Sequence, residues 1–212
     1  MLEINPLIEK AFKGIRDKHY PKGQIILFQG DEPVTAFLLQ TGIIKVYDID
    51  DQGNEKILHL LKPSAVLPFA LYSGISNPIQ WFYSALTDCD VCEIPADDLK
   101  KQMHASNELT LQLMNWFSTE MHELLVRVSS LGKTNTRDKL VAALTFLGVH
   151  HAVQRPSGWW RVTFPVNHQL LADMTGMTRE SAAMTMKTLK DERLIRQPRL
   201  TILEINLDKL LA

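Results

Sequence analysis

The sequence predicts an α+β chain with an N-terminal antiparallel β-roll of the jelly-roll type, then a long helix, then a small C-terminal domain of helices and strands. Three observations predict this order. Between Lys22 and Pro95, short β-branched and aromatic runs alternate with turn formers, which is typical of an antiparallel roll or sandwich. From Ala96 to Leu131, apolar residues recur at helical spacing. After residue 133, two short helices separated by a glycine lie between strand-like segments.

The composition is that of a globular protein. The chain has 212 residues, of which 45% are apolar and 22% charged, enough for two domains with their own cores. Residues 1–6 lack the basic and apolar regions of a signal peptide, and no apolar run approaches the roughly 18 residues of a membrane span. Because two cysteines are too few for a disulfide framework, we expect a reduced, cytoplasmic protein without a membrane partner.

Charge is distributed unevenly along the chain, although the net charge is only −1. Residues 1–132 contain 11 basic and 17 acidic side chains, a balance of −6, whereas residues 133–212 contain 12 and 7, a balance of +5. A basic C-terminal part predicts contact with a polyanion such as nucleic acid. Chance scatter of surface charge is the alternative.

The β-roll and a preceding helix are placed in residues 1–105. Residues 1–18 carry apolar positions at the spacing of one or two short amphipathic helices. Runs of strand length follow between the turns, at 25–28, 37–39, 43–47, 57–61, 81–86 and 91–94. Cys89 and Cys92, three apart on a predicted strand, should point to opposite faces, which disfavours a disulfide or a shared metal. We expect two buried structural thiols and no metal site.

The long helix, placed with a hinge in residues 106–132, has two apolar stripes. One stripe, with Leu109, Leu113 and Trp116, would face the roll. The other has the alternating spacing of three and four residues that forms a coiled-coil seam, and it predicts a homodimer interface. The alternative is a helix that packs only on its own domain. The predicted interface residues are Met114, Phe117, Met121, Leu124, Val128 and Leu131.

Residues 133–212 are predicted to form a winged helix-turn-helix. Asn135 is placed to cap a helix after the hinge at 132–134. In the following helix pair, Gly176 supplies the positive φ of a tight turn, and Thr178 caps the second helix. Segments 161–164 and 199–205 are expected to pair as the wing. The predicted inward residues of the two helices are Leu170, Leu171, Met174, Ala182, Met186 and Leu189.

This order of elements resembles the CRP/FNR family of bacterial transcription regulators, typified by the cyclic-AMP receptor protein and the fumarate-nitrate regulator. The resemblance covers about the whole chain and is carried by segments 22–26, 30–31, 41–46, 51–55, 176–181 and 189–195. It implies a cyclic-nucleotide-binding-like roll and a homodimer that binds double-stranded DNA, with RNA polymerase left open as a further partner. A scaffold or sensory dimer whose DNA readout has degraded is an alternative.

The resemblance also implies roles for residues of the second helix, the recognition helix. An arginine fork suits guanine and a carboxylate can accept from cytosine, although a surface ion pair would also explain Arg179 and Glu180. Met184 stands where many relatives have a second arginine, so the half-site should differ from theirs. The predicted base-reading residues are Thr178, Arg179, Glu180, Ala183 and Met184. The predicted phosphate contacts are His168, Gln169, Lys187 and Lys190, with a solvated helix face nearly as good an explanation for Lys190.

The family's effector motifs are missing. Relatives that bind cyclic nucleotide use a Gly-Glu pair for ribose and an Arg-Ser or Arg-Thr pair for phosphate, whereas the corresponding positions 67–68 and 79–80 hold Leu-Pro and Ile-Gln. The positions that would contact adenine, 124–125, are both leucine, and no arginine lies between Arg16 and Arg127. The N-terminal cysteine group of the iron–sulfur members is also absent. We therefore expect a regulator that does not depend on cyclic AMP.

An apolar cassette replaces those motifs, and three interpretations of it are open. It fills the core, it binds an apolar or aromatic small molecule, or it holds haem with His59 as ligand. Filling is favoured, since large side chains more often fill a cavity than line one, so no cofactor is predicted. The residues of the cassette are Leu67, Pro68, Phe69, Tyr72, Trp81 and Phe82.

An enzyme is not expected. His59 is the only histidine between Lys22 and Pro95, and that region has no metal-binding histidine spacing. A glycine-rich phosphate loop and a nucleophile elbow are also absent. The sequence predicts a homodimeric regulator that reads a near-palindromic DNA site.

Overall fold

The computed structural model describes residues 5–13, 16–72, 78–199 and 201–211. Its helices are α1 (Pro6–Phe12), α2 (Ala96–Ala105), α3 (Asn107–Leu131), α4 (Thr136–His150), α5 (His168–Thr175), α6 (Arg179–Asp191) and α7 (Leu207–Leu211), with a 3₁₀ turn at Phe69–Tyr72. Its strands are β1 (Arg16–Tyr20), β2 (Ile25–Leu27), β3 (Thr35–Thr41), β4 (Ile44–Ile49), β5 (Glu55–Leu61), β6 (Val66–Leu67), β7 (Phe82–Ala85), β8 (Cys89–Pro95), β9 (Ala152–Gln154), β10 (Trp160–Val162), β11 (Ile195–Arg199) and β12 (Ile202–Ile205).

The chain divides into two compact units. One comprises Met1–Asp48 and Leu58–His122, and the other comprises Ile49–Ile57 and Glu123–Ala212. Helix α3 therefore contributes residues to both. The division at residues 105 and 132 stays a prediction.

The first unit contains the predicted antiparallel β-roll. One sheet has the strand order β1-β8-β3-β6, and the other has the order β2-β7-β4-β5. Six of these strands coincide with the predicted apolar runs, because short runs of buried apolar residues between turn formers can be recognised in a sequence. The predicted fold class, a roll followed by a long helix and a winged helix-turn-helix, is confirmed.

The N-terminal segment departs from the prediction. A helix forms at Pro6–Phe12, but residues 16–20 are strand β1, paired with Cys89–Glu93 of β8, rather than a continuation of helix. Only Tyr20 of β1 is buried, so the strand has no apolar alternation that could have revealed it. Its conformation is set by the hydrogen bonds of its partner strand. Residues 1–4 and 14–15 of the predicted segment lie outside the described residues.

The two thiols lie on opposite faces of β8, as predicted. Cys89 packs in one core cluster with Leu39 and Val91, and Cys92 packs in another with Leu38 and Ile94. Burial raises the pKa of Cys89 to about 11 and, with a hydrogen bond to Asp17, the pKa of Cys92 to about 12. Both sulfurs are therefore neutral thiols at physiological pH, which makes them poor nucleophiles and poor redox sensors.

The predicted helical region 96–131 is two helices, since Ser106 has extended backbone between α2 and α3. Its hydroxyl accepts a hydrogen bond from the amide of Leu109, which satisfies one of the first-turn donors of α3. Leu109 and Leu113 are buried in a core cluster of the first unit, and Trp116 packs against two such clusters. This stripe contacts the roll as predicted.

The second unit contains the predicted helix-turn-helix, and local capping defines its helices. Asn135 accepts from the amide of Asp138 at 2.7 Å, Asn167 caps α5, and the Thr178 hydroxyl caps α6. Gly176, at φ 68°, ends α5 in the left-handed conformation that glycine adopts without strain. All six predicted inward residues of α5 and α6 are buried. Beside these helices, the third sheet has the order β11-β12-β10-β9 and forms the wing.

Candidate nucleic-acid interface

The outward side of helix α6 is solvent-exposed. Of the residues on this helix and its cap that the sequence assigns to DNA contact, Ala183 and Lys190 are half-buried. The exposed ones are Thr178, Arg179, Glu180, Met184 and Lys187. None of them is needed to fill the core, because Ala182, Met186 and Leu189 already do so.

Helix geometry divides these outward residues into two groups. Successive residues of a helix are rotated by about 100°, so Glu180, Met184 and Lys187 lie on the side of α6 that is opposite its buried stripe. We call these three residues the crest. Arg179 lies instead on the flank of the helix, on the side of Lys190. The sequence did not separate crest from flank among the residues that it assigned to DNA.

The flank of α6 lines a cleft with the first turn of α5. The cleft has a volume of about 540 Å³, and we call it the cationic cleft. Its lining residues are Asn167, His168, Gln169, Arg179, Lys190 and Gln197. The structure thus brings three of the four predicted phosphate contacts together with Arg179, whereas Lys187 lies on the crest. Gln197, on strand β11, is a member that the sequence gave no reason to single out.

The electrostatics of the cationic cleft favour an anion. Burial and the positive charges of Lys190 and Arg179 lower the pKa of His168, so its imidazole is neutral at physiological pH. Asn167 caps α5 by accepting from the amide of Leu170 at 2.8 Å. The first turn of a helix presents amide donors and the positive end of the helix dipole. These features together match what a phosphate group requires.

An ion-pair network holds the wing next to this surface. The buried carboxylate of Glu204 on β12 contacts the guanidinium of Arg161 at 2.7 Å and that of Arg196 on β11. Burial opposes ionisation of Glu204, but hydrogen bonds and positive charges from both arginines lower its pKa overall. Arg196 also lies over the ring of Trp159, 4.4 Å from its centroid. Glu204 therefore fixes the two wing strands that carry these arginines.

Arg127 is a buried residue of α3 that the sequence analysis did not single out. Its guanidinium donates to the carbonyl of Ile57 at 2.8 Å and to the carbonyl of Met174, near the end of α5, at 3.1 Å. It also lies over the ring of Phe146 on α4, at 5.3 Å. Burial lowers the pKa of Arg127 to about 10, so it remains charged at neutral pH. One side chain thus connects α3 to the two helices that support the recognition helix.

The outward face of α3 is apolar, and this agrees with the predicted seam only in part. Met114, Met121, Val128 and Leu131 are exposed, whereas Phe117 and Leu124 are half-buried. Leu111 and Leu125, which the prediction omitted, are exposed by 62% and 61%. Leu111, Met114, Met121, Leu125 and Val128 lie on one side of the helix, in a stripe interrupted by Ser118.

The residues of the apolar cassette do not gather around one cavity. Leu67 and Pro68 are buried, and Leu67 belongs to a core cluster of the roll. Phe69 packs against that cluster and stacks on Trp116, with ring centroids 6.1 Å apart. Phe82 instead stacks on Tyr47 at 5.3 Å.

Phe82 and Trp81 lie outside the core cluster that contains Leu67. Phe82 alternates along β7 with Tyr83, which is in the core cluster, so Phe82 faces the other side of the sheet. Trp81 is 37% exposed, and the side chain of Tyr72 lies outside the described residues. The members of the cassette whose side chains the structure describes therefore do not share one pocket.

His59, the candidate haem ligand, is completely buried and engaged by another side chain. Its Nε2 lies 2.6 Å from a carboxylate oxygen of Glu120, which is itself buried on the inner side of α3. Nε2 is therefore not available as an axial ligand without breaking that hydrogen bond. The carboxylate partner could not be foreseen, because Glu120 is 61 residues away in the chain.

Comparison with known proteins gives the family. The cyclic nucleotide-binding domain model matches residues 17–106, and the Crp-like helix-turn-helix domain model matches residues 138–212. The chain belongs to the CRP/FNR family. It is a CRP/FNR-like transcription regulator with a helix-turn-helix DNA-binding domain. The curated relatives below are regulators rather than enzymes, as expected for this family.

Individual relatives are distant. The HTH-type transcriptional regulator ArcR of Staphylococcus haemolyticus is 25% identical over 83% of this chain and 76% of its own length. The fumarate and nitrate reduction regulatory protein of Yersinia pestis is 31% identical over 66% of this chain, which spans only 55% of that relative. The solved structure of FixK2 from Bradyrhizobium japonicum superposes with a TM-score of 0.78, covering 92% of this chain and 95% of its own, at 18% identity. Such a likeness shows a shared fold.

Within the described residues, none of the helices has the length and apolar character needed to cross a bilayer.

Proposed function

We propose that this CRP/FNR family member is a cytoplasmic homodimer that binds a near-palindromic DNA site without cyclic AMP. The observation that carries the proposal is the exposed crest of α6 beside the cationic cleft. A recognition helix with free polar side chains enters a major groove, while a cleft rich in cations holds the adjacent phosphate. Twofold symmetry would place the two half-sites about 34 Å apart, one helical turn of DNA.

The exposed face of α3 supports the dimer. Leu111, Met114, Met121, Leu125 and Val128 form a stripe at heptad spacing on a helix of 25 residues. Contiguous apolar surface of this kind typically marks an interface between proteins. A second copy of α3 would cover it with identical knobs-into-holes packing, which is the simplest symmetric solution.

The interior of the roll supports independence from cyclic AMP. At the positions where relatives hold ribose and phosphate, Leu67 and Ile79 are buried in the core cluster. Gln80 is exposed and donates to the carbonyl of Pro78 at 2.9 Å. Burial of these two side chains is unfavourable for a charged ligand at those positions, and the sequence offers no arginine for its phosphate between Arg16 and Arg127. A filled roll, with no cofactor, is the arrangement that this packing favours.

The proposal is tested by selecting random duplex DNA with the purified full-length chain. We expect enrichment of a twofold-symmetric motif, unchanged when cyclic AMP is added. Parallel selections with cell extract show whether an effector is required. Failure to enrich any motif in both conditions would contradict sequence-specific binding, and enrichment only with cyclic AMP would contradict the effector assignment. Enrichment only with extract would contradict an effector-free regulator while retaining DNA recognition.

A further inference from the structure

Met184 is an apolar side chain in a polar setting. It is 74% exposed, the largest exposed fraction among the exposed large apolar side chains that the structure describes. It lies on the crest of α6, with Glu180 four residues before it and Lys187 three residues after it. By helix geometry, its direction differs by only about 15° from the direction opposite the buried stripe.

Packing does not account for Met184. The inward stripe of α6 is complete without it, since Ala182, Met186 and Leu189 are each no more than 1% exposed. The exposed apolar stripe of α3, which would be covered by a second copy, is a different surface. An unbranched thioether at the outermost position of a recognition helix is therefore available to an apolar partner from outside the chain.

The floor of the DNA major groove offers few apolar partners. Guanine, adenine and cytosine present hydrogen-bond donors and acceptors there, whereas thymine adds its 5-methyl group. Methionine has no donor and only a weak acceptor, so it cannot satisfy the polar edges of the other bases. Its flexible side chain adapts well to a methyl group.

We propose that Met184 reads the 5-methyl group of one thymine in each half-site. The proposal rests on the proposed function and adds to it the identity of one recognised base. Glu180 lies about 6 Å before Met184 along the helix, so this thymine is expected within about two base pairs of the pair that Glu180 contacts. Base pairs elsewhere in the half-site are recognised without Met184.

The test uses the DNA site recovered by selection and the full-length protein. Each thymine is replaced in turn by deoxyuridine, which removes only the methyl group and preserves base pairing. At one thymine per half-site we expect affinity to fall about fourfold, the effect of exposing one methyl-sized apolar group. Replacing both symmetry-related thymines should lower affinity about fifteenfold. A duplex with 5-methylcytosine at that position should bind more tightly than a duplex with cytosine there, because the 5-methyl group is restored.

Two variants locate the effect in this side chain. Met184→Ala should bind the thymine and deoxyuridine sites equally, whereas Lys187→Ala, one turn further along the crest, should bind both more weakly and keep the fourfold ratio. Thermal unfolding of Met184→Ala should match that of the original chain, because Met184 is exposed. The proposal is overturned if no thymine methyl affects binding, or if Met184→Ala keeps the preference for thymine. If selection enriches no motif at all, it is the proposed function that fails.

Discussion

The β-roll and the helix-turn-helix domain differ in what they place at the positions where their family contacts ligands. In the roll those positions hold buried apolar side chains such as Leu67 and Ile79. In the DNA-binding domain they hold exposed side chains such as Glu180 and Lys187. Buried residues contribute to the fold, whereas exposed residues on a recognition helix contribute little to it and are free to bind. The proposed DNA-binding surface is thus exposed, whereas the positions that the resemblance assigns to the effector are Leu67 and Ile79 of the core.

The largest effect is expected from charge on the exposed face of α3. Met121→Glu should weaken dimerisation by about 3–6 kcal/mol, since each copy loses the burial of a methionine, about 1.5–3 kcal/mol, and places carboxylates near each other. Sedimentation velocity would then detect monomers at concentrations where the original chain is dimeric. Asn115→Glu is the matched control, because it adds the same charge to an exposed position on another side of α3. A Met121→Glu protein that remains as dimeric as this control would exclude the face as the interface.

A second prediction distinguishes a packed roll from a ligand pocket. Leu67→Ala should lower the free energy of unfolding by about 2–5 kcal/mol, because it leaves a cavity in a filled core. Met184→Ala, on the open surface of α6, should change it by less than about 0.5 kcal/mol. Urea denaturation measures both. A small loss for Leu67→Ala would mean that this side chain lines an accessible space, and the contrast between the two regions would disappear.

Features fixed by neighbours in sequence were predictable. Asn135 and Thr178 cap their helices as expected, and Gly176 forms the turn. Each of these depends on a side chain and an amide a few residues away, or on the φ of one residue. The inward residues of α5 and α6 followed from helical period alone.

Features fixed by distant partners were not predictable. Strand β1 is polar and is held by pairing with β8, more than 60 residues later, so its own sequence resembled a helix continuation. The buried role of Arg127 depends on carbonyls at Ile57 and Met174. The exposed apolar residues of α3 differ in part from the predicted seam, because heptad counting cannot tell which side of the helix its own chain covers. Likewise, the cassette was read as one group, although alternation along β7 turns Phe82 away from Tyr83.

The flank position of Arg179 makes its assignment to base readout worth testing separately. Arg179→Ala should lower affinity for the selected site by about 1–3 kcal/mol per half-site if the guanidinium contacts a base edge. Titration against the selected site and a scrambled duplex at several salt concentrations measures this. If Arg179→Ala loses the same affinity on both duplexes, and its affinity depends less on salt by about the amount of one phosphate contact, Arg179 is instead a phosphate ligand of the cationic cleft.

The smallest effect is a pH dependence specific to the DNA-binding surface. The pKa of His168 is lowered in the free protein by burial and by Lys190 and Arg179. A phosphate in the cleft would offset those positive charges and raise this pKa, so the complex takes up a proton that the free protein lacks. Affinity should therefore increase as the pH falls through the pKa of His168 in the complex. It should level off below the pKa of His168 in the free protein, which is lower than 6.5.

The size of this pH effect follows from the change in pKa. It is expected to be small, because protonation of His168 adds one charge to a cleft that already holds those of Lys190 and Arg179. Fluorescence anisotropy with the selected duplex across this range measures it. His168→Gln should remove the effect while keeping a hydrogen-bond donor in the cleft. His104→Gln, at an exposed position of α2, should leave it intact. A pH dependence that persists in His168→Gln would place the titrating group elsewhere and leave the cleft's cations, rather than its imidazole, to hold the phosphate.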